Sequence, residues 1–149
     1  MIQSFPPPDG FLPTVFEHDI PFVNNFFQTY ERHCDDCSEI GAWVTEECCN
    51  AGRMAHGAFL MAIGDFATTK ATFRMMGTHN RFSVHMNFNM NFYAAAPKNS
   101  WLVAKARVTR AGSSIVYTTC DYYADGELIG HADAILKSTI RREKTPKPG

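Results

Sequence analysis

The chain lacks an excess of charge of either sign. It sets 14 Lys and Arg against 15 Asp and Glu over 149 residues, a net charge of −1. A protein that grips nucleic acid neutralises phosphates with a basic surface, and no such surplus is present. There is also no apolar run near the ~20 residues of a membrane span. The opening MIQSFPPPDGFLP has neither the basic start nor the apolar core of a secretory signal. These absences lead us to expect a cytoplasmic protein with no nucleic-acid or membrane partner.

Cysteine is present in an odd number, at 34, 37, 48, 49 and 120. Without a signal peptide, an odd count argues for reduced thiols. Cys34-Asp-Asp-Cys37 lacks the second Cys-x-x-Cys that gives structural zinc its four ligands. It reads more simply as the flanks of a hairpin turn at Asp35 and Asp36, and no metal is expected. The rival is a zinc- or thiol-based regulator built on Cys34, Cys37, Cys48 and Cys49. Repeats and an internal linker are absent too. A composition that is 45% hydrophobic and 19% charged suits one ordinary domain with a real core.

What is there centres on the stretch from Cys49 to Ala71. It reads as a loop entering a helix that starts near His56-Gly57 and runs to about Met76. Phe59, Ile63 and Phe66 recur at helical spacing, and Ala58, Met61, Ala62 and Ala67 widen the apolar surface almost all round. Such a helix is expected to be buried on most sides, with Asp65 as a costly buried carboxylate in its middle. Gly57 and Asp65 are eight residues apart, about 12 Å at ~1.5 Å per residue. The free amides at the helix start suit a developing oxyanion. Asp65 is too far down the same helix to serve a carbonyl held there. If both act in one reaction, two copies of the chain must supply them.

The rest reads as β structure around that helix. Residues 26–32 and 39–47 form a hairpin ahead of the loop. Pro6, Pro7, Pro8 and Asp9-Gly10 make an arm that Phe5, Phe11 and Leu12 pack onto the body. A short helix or turn is expected around Pro21 to Asn25, with the aromatics of this stretch covering a sheet edge or helix end in the simpler reading, or lining an acyl pocket in the other. Gly77 ends the long helix. Phe82, Val84, Met86, Phe88, Met90 and Phe92 then alternate with Ser83, His85, Asn87, Asn89 and Asn91, a clear period of two. The apolar set should pack on the helix and the polar set should face out. Strands at 101–110, 114–124 and 128–137 follow in meander-like order, the last pair joined by the Asp125-Gly126 turn. The end of the chain is charged and loose.

The pattern Asn50, six residues to His56-Gly57, then eight to Asp65, resembles the hotdog-fold acyl-CoA thioesterases of the phenylacetate-pathway type. Their usual text is N-x-x-G-x-x-H-G-G, then a helix carrying the acid. Here the loop glycine stands at Gly52, with Arg53 at the family's position, and the second glycine is Ala58. The order of elements continues the likeness from about Phe22 to Lys137. The resemblance implies an α+β hotdog fold, an antiparallel sheet wrapped around one long central helix, with an arm at 1–20, the domain at 21–140 and a tail at 141–149. It implies hydrolysis of an acyl-CoA thioester in a homodimer or a dimer of dimers, without a cofactor.

In that scheme Gly57 supplies the oxyanion amide, and Asp65 of the other chain is base or nucleophile. Asn50 orients water or thioester, His56 holds the helix entrance, and Ser83 assists beside the carboxylate. Taken one at a time, His56 is a cap, Asn50 a turn residue and Asp65 a side chain bonded to its neighbours. Arg53, Lys98, Lys137, Arg141 and Arg142 are candidates for the coenzyme A phosphates, or simply solvated charges. The rival of another class is a non-catalytic hotdog protein that binds acyl-CoA or a related ligand.

Overall fold

A computed structural model describes residues 5–16, 20–22, 28–77 and 80–141. One helix, α1 (Gly57–Met76), lies in the hollow of a seven-stranded antiparallel sheet. The strands are β1 (Leu12–Pro13), β2 (Tyr30–Cys34), β3 (Cys37–Trp43), β4 (Arg81–Phe92), β5 (Trp101–Ala111), β6 (Ile115–Ala124) and β7 (Glu127–Ile140). The α+β architecture is the one expected. Their order across the sheet is β1-β2-β3-β5-β6-β7-β4. Of the four strands after the helix, β5, β6 and β7 form a meander, and β4 departs from it by pairing with β7 at the far edge. The second hairpin strand stops at Trp43, and Glu46–Cys48 is a 3-10 turn. Among the described residues no helix is long and apolar enough to cross a membrane.

The helix fits because small side chains are set among the larger ones in the sheet beneath it. Ala42, Ala104, Ala106 and Ala132 are buried against Phe59, Leu60, Ile63, Phe66 and Ala67. At its closest approach even a methyl group is too large, since a Cβ on Gly64 would sit 1.7 Å from Tyr122 Oη. The helix is not buried all round, however. Met61 and Met75 are exposed, and the Asp65 side chain is 47% exposed. The buried carboxylate expected from composition is therefore half open within one chain.

The arm is pinned by a second cluster on the outer side of the sheet. Phe11 meets Trp101 edge-on at 5.2 Å, with Tyr30 and Trp43 beside it, and Phe5 lies 5.4 Å from Trp43. Leu12, expected to help, is exposed, because β1 presents it outward while pairing with β2. Pro21 and Phe22 are helical, and the rest of the turn expected there lies outside the described residues, as do Val23, Phe26 and Phe27. The tail beyond Arg141, including Arg142, also lies outside them.

The outer face of β6 and β7 holds a separate polar cluster. His131 Nδ1 lies 2.7 Å from Asp121 Oδ1, and Nε2 lies 3.4 Å from Asp133. The hydrogen bond to Asp121, then the nearby negative charges, raise the His131 pKa above its ordinary value against a smaller desolvation penalty. A raised value means that the folded state binds the proton more tightly. The stabilisation is complete below the unfolded value near pH 6.5 and disappears as pH climbs through the folded value. Thermal melts of wild type and His131→Gln should differ most in mild acid and converge in alkali. Equal differences at every pH would show that the imidazolium contributes nothing.

Candidate functional site

The loop before α1 is a small braced turn. Asn50 Oδ1 accepts from the amides of Gly52 (2.9 Å) and Met54 (3.3 Å), and the Asn50 amide donates to Met54 O. This is how an Asn side chain copies a backbone turn. Its carbonyl is thus spent on the loop, and its amide nitrogen is the end left for a ligand. Arg53 has φ 58, in the left-handed region that favours glycine. The sequence departs from the family text at that position, yet the backbone keeps the conformation a glycine would adopt.

His56 is the N-cap of α1, with extended φ and ψ, and its Nδ1 accepts from the Ala58 amide at 3.1 Å. Phe59 and Leu60 donate to His56 O. Of the first four amides of the helix, Gly57 alone has no acceptor among the described residues. A helix start leaves such amides by construction, and the capping side chain has spared this one.

Eight residues on, Asp65 faces a cavity of about 540 Å³. Phe16, Ile20, Phe66, Phe73 and Val84 give it apolar walls, and Asp65, Ser83 and His85 supply polar groups. Phe16 and Ile20 therefore line a pocket, where a covering role was the simpler reading. Lys70, Arg74 and Arg81 also reach this cavity. Lys70 pairs with Glu31 at 2.7 Å, and Arg74 donates to the carbonyls of Cys34 and Cys37.

The strand β4 gives the largest departure from the alternation. Its pairing with β7 slips between His85 and Asn87, leaving Met86 as an extra residue. A bulge of one residue reverses the phase of a strand. After it Phe88 and Met90 pack on the core as expected. Before it the order is reversed: Ser83 and His85 turn toward the helix, and Phe82, Val84 and Met86 are exposed, Val84 while still lining the cavity. Ser83 consequently lies at the cavity with Asp65, and its hydroxyl donates to Ser138 Oγ at 2.9 Å.

The same bulge brings in a residue that the sequence reading passed over. His85 Nδ1 is 2.8 Å from Asp65 Oδ1, and His85 Nε2 is 2.8 Å from Thr68 Oγ1. The signal was available: an unassigned His two positions from Ser83, on a strand that follows the acid-bearing helix. Asp65 Oδ2 has no partner among the described residues.

The cysteines do not form a competing centre. Cys34 and Cys37 are joined in a disulfide, Cα–Cα 5.0 Å, where free thiols were expected. They are directly paired at the end of the β2–β3 hairpin, which sets them within bonding reach. With Asp36 they are the group of possible metal ligands among the described residues, but both sulfurs are bonded to each other. Burial pushes the thiols of Cys48, Cys49 and Cys120 up, which disfavours a thiolate nucleophile. Of the basic candidates, Lys98 pairs with Glu46, and the Arg141 guanidinium lies 5.5 Å from the Phe82 ring centre.

The model of the thioesterase superfamily matches residues 52–130, which include Gly57, Asp65, Ser83 and His85 and begin just after Asn50. No curated protein matches the chain. Among solved structures, the phenylacetic acid degradation protein PaaI of Thermus thermophilus superposes with a TM-score of 0.69 at 17% identity, over 79% of this chain and 98% of that one. The PaaI protein of E. coli gives 0.63 at 15%, over 69% and 72%. The BH2602 protein of Bacillus halodurans, whose structure holds CoA, gives 0.63 at 18%, over 68% and 66%. At these identities the likeness shows the fold, and the fold is the hotdog.

Proposed function

The chain belongs to the thioesterase superfamily, and on that premise we propose that it hydrolyses acyl-CoA thioesters at sites shared between two copies of the chain. The observation that supports this most is Asp65. It is a half-exposed carboxylate on the wall of an apolar cavity, with Oδ1 held and Oδ2 bare. The Gly57 amide complements it, because a donor without a partner at a helix start suits the oxyanion of an attacked carbonyl.

The two groups lie about 12 Å apart on one helix, so one chain cannot apply both to a single carbonyl. The edge strand β4 supports a second copy. It is twelve residues long, pairs among the described residues with β7 alone, and exposes Phe82, Val84 and Met86. A long apolar edge of this kind is an aggregation hazard unless something pairs with it. Asp65 of one chain and Gly57 of its partner then face the same thioester. Water adds to the carbonyl carbon, the C–S bond breaks, and the proton passes to the departing thiolate. Asp65 Oδ2 either takes that proton from water or itself attacks, giving an anhydride that water opens. In this reading Asn50 Nδ2 and Ser83 orient the reactants, and His56 keeps the helix start in shape.

The ligand chemistry follows from the walls. The aromatic and aliphatic lining suits an aryl or medium-chain acyl group. Free-thiol release from a panel of aryl and straight-chain acyl-CoAs tests the proposal. At least one class should be hydrolysed with turnover. A folded protein that binds the panel but releases no thiol from any member would be a binding module instead.

A further inference from the structure

We propose that His85 is a positioning residue for Asp65, held in place by Thr68, and that it determines which carboxylate oxygen reacts. This rests on the thioesterase reading of the site. The argument begins with proton counting. His85 Nδ1 lies 2.8 Å from Asp65 Oδ1, and because an ionised carboxylate only accepts, a hydrogen shared between the two atoms belongs to His85 Nδ1. In the neutral ring Nε2 is then an acceptor. Thr68 Oγ1 lies 2.8 Å from it and is the donor in that tautomer. Thr68 also lies 2.9 Å from Gly64 O and 3.1 Å from Asp65 O, the alternative acceptors of the same hydrogen.

The arrangement has the outline of a carboxylate, imidazole and hydroxyl triad, but the hydroxyl is not a nucleophile. Thr68 is fully buried, and no substrate reaches it. The chain therefore runs the other way. A buried helix residue fixes the ring, and the ring fixes an otherwise half-exposed carboxylate. Asp65 projects from a helix and His85 from the strand opposite, so the contact also ties the two walls of the cavity together. A free Asp side chain would rotate and offer either oxygen. Here Oδ1 is occupied by His85, which leaves Oδ2 as the oxygen to offer to a ligand in the cavity that Asp65 lines.

Three variants and one spectrum test this. His85→Ala should lower kcat about 100-fold with KM unchanged, the scale of a misplaced reacting group. His85→Asn should keep most of the rate, because its amide nitrogen can stand where Nδ1 stands. Thr68→Val should lower kcat about tenfold, as loss of an orienting partner does. Thermal melts of each variant identify any that fail to fold, and the Asn variant covers that case for Ala.

Turnover of His85→Ala at the wild-type rate overturns the proposal. So does a change confined to KM. A slow Asn variant, equal to Ala, overturns it as well, because the ring would then be carrying a proton rather than holding an oxygen. If the wild type hydrolyses no thioester, the thioesterase reading fails, and nitrogen-15 NMR still decides the pairing. The His85 ring should be protonated at Nδ1, and its signals should move in Asp65→Asn; a ring indifferent to that change overturns the positioning role.

Discussion

Asp65→Asn is expected to reduce thioester hydrolysis by about 10³-fold, the contribution of a positioned base or nucleophile. The fold should survive, since Asn has the same shape and the side chain is half exposed in the single chain. Loss of rate by itself would not show that the site is shared. A second variant does, if it disables the other half without damaging the helix. Gly57→Pro fits, because Gly57 is the first helical residue and His56 before it is already extended. Proline is well tolerated at that position and removes only the amide hydrogen. The nearest atom to an added Cβ is on the half-exposed Phe92 ring at 3.3 Å, which has room to give.

Each variant should be nearly inactive as a homodimer, the Pro form through loss of the oxyanion donor at about 10²-fold or more. Unfolded together and refolded, they form mixed dimers in which one site combines a normal Gly57 with a normal Asp65. Random pairing makes half of the dimers mixed, with one of two sites intact, so about a quarter of the wild-type rate should return. A mixture no faster than its components would place both groups in one chain and sink the dimer argument.

Gly64→Val is expected to destabilise the protein by about 3 kcal/mol. Two effects oppose each other. Glycine within a helix is unfavourable, and its replacement by valine returns about 0.3 kcal/mol of helix propensity. Overpacking acts the other way. The new Cβ would fall 1.7 Å from Tyr122 Oη and 2.7 Å from its Cζ, and Tyr122 is fully buried in the sheet. Neither partner has open space to move into, so the helix must lift or the ring must leave its rotamer. Such insertions cost about 1–3 kcal/mol in ordinary cases and more where nothing yields. Overpacking therefore wins. Because Gly64 precedes Asp65, lifting the helix also draws the carboxylate away from His85, and the folded fraction should lose activity too. A denaturant midpoint equal to that of wild type would show that Tyr122 can move aside.

The local grammar of the chain was readable directly. The helix runs between the residues expected, Gly57 and Met76, because its cap, apolar spacing and terminal Gly77 are all neighbours in sequence. The Asp125-Gly126 turn followed from two residues that tolerate positive φ, observed at 48° and 87°. Gly57 and Asp65 were singled out by their spacing along one helix, where sequence distance translates into geometry, and Asn50 and His56 by the family resemblance of the loop before it.

What sequence left undecided involves pairing between distant segments. Alternation in β4 defines two faces but does not say which one meets the helix, and one extra residue at Met86 exchanges them. That register is set by contacts with β7, some fifty residues later. His85 meets Asp65 only because the strand returns alongside the helix with that phase. The half-open Asp65, the exposed edge of β4 and the Cys34–Cys37 bond depend equally on which elements pack together. Short-range chemistry fixed the elements and named most of the candidate residues. Long-range strand pairing decided which side chains look into the cavity and which partner Asp65 has.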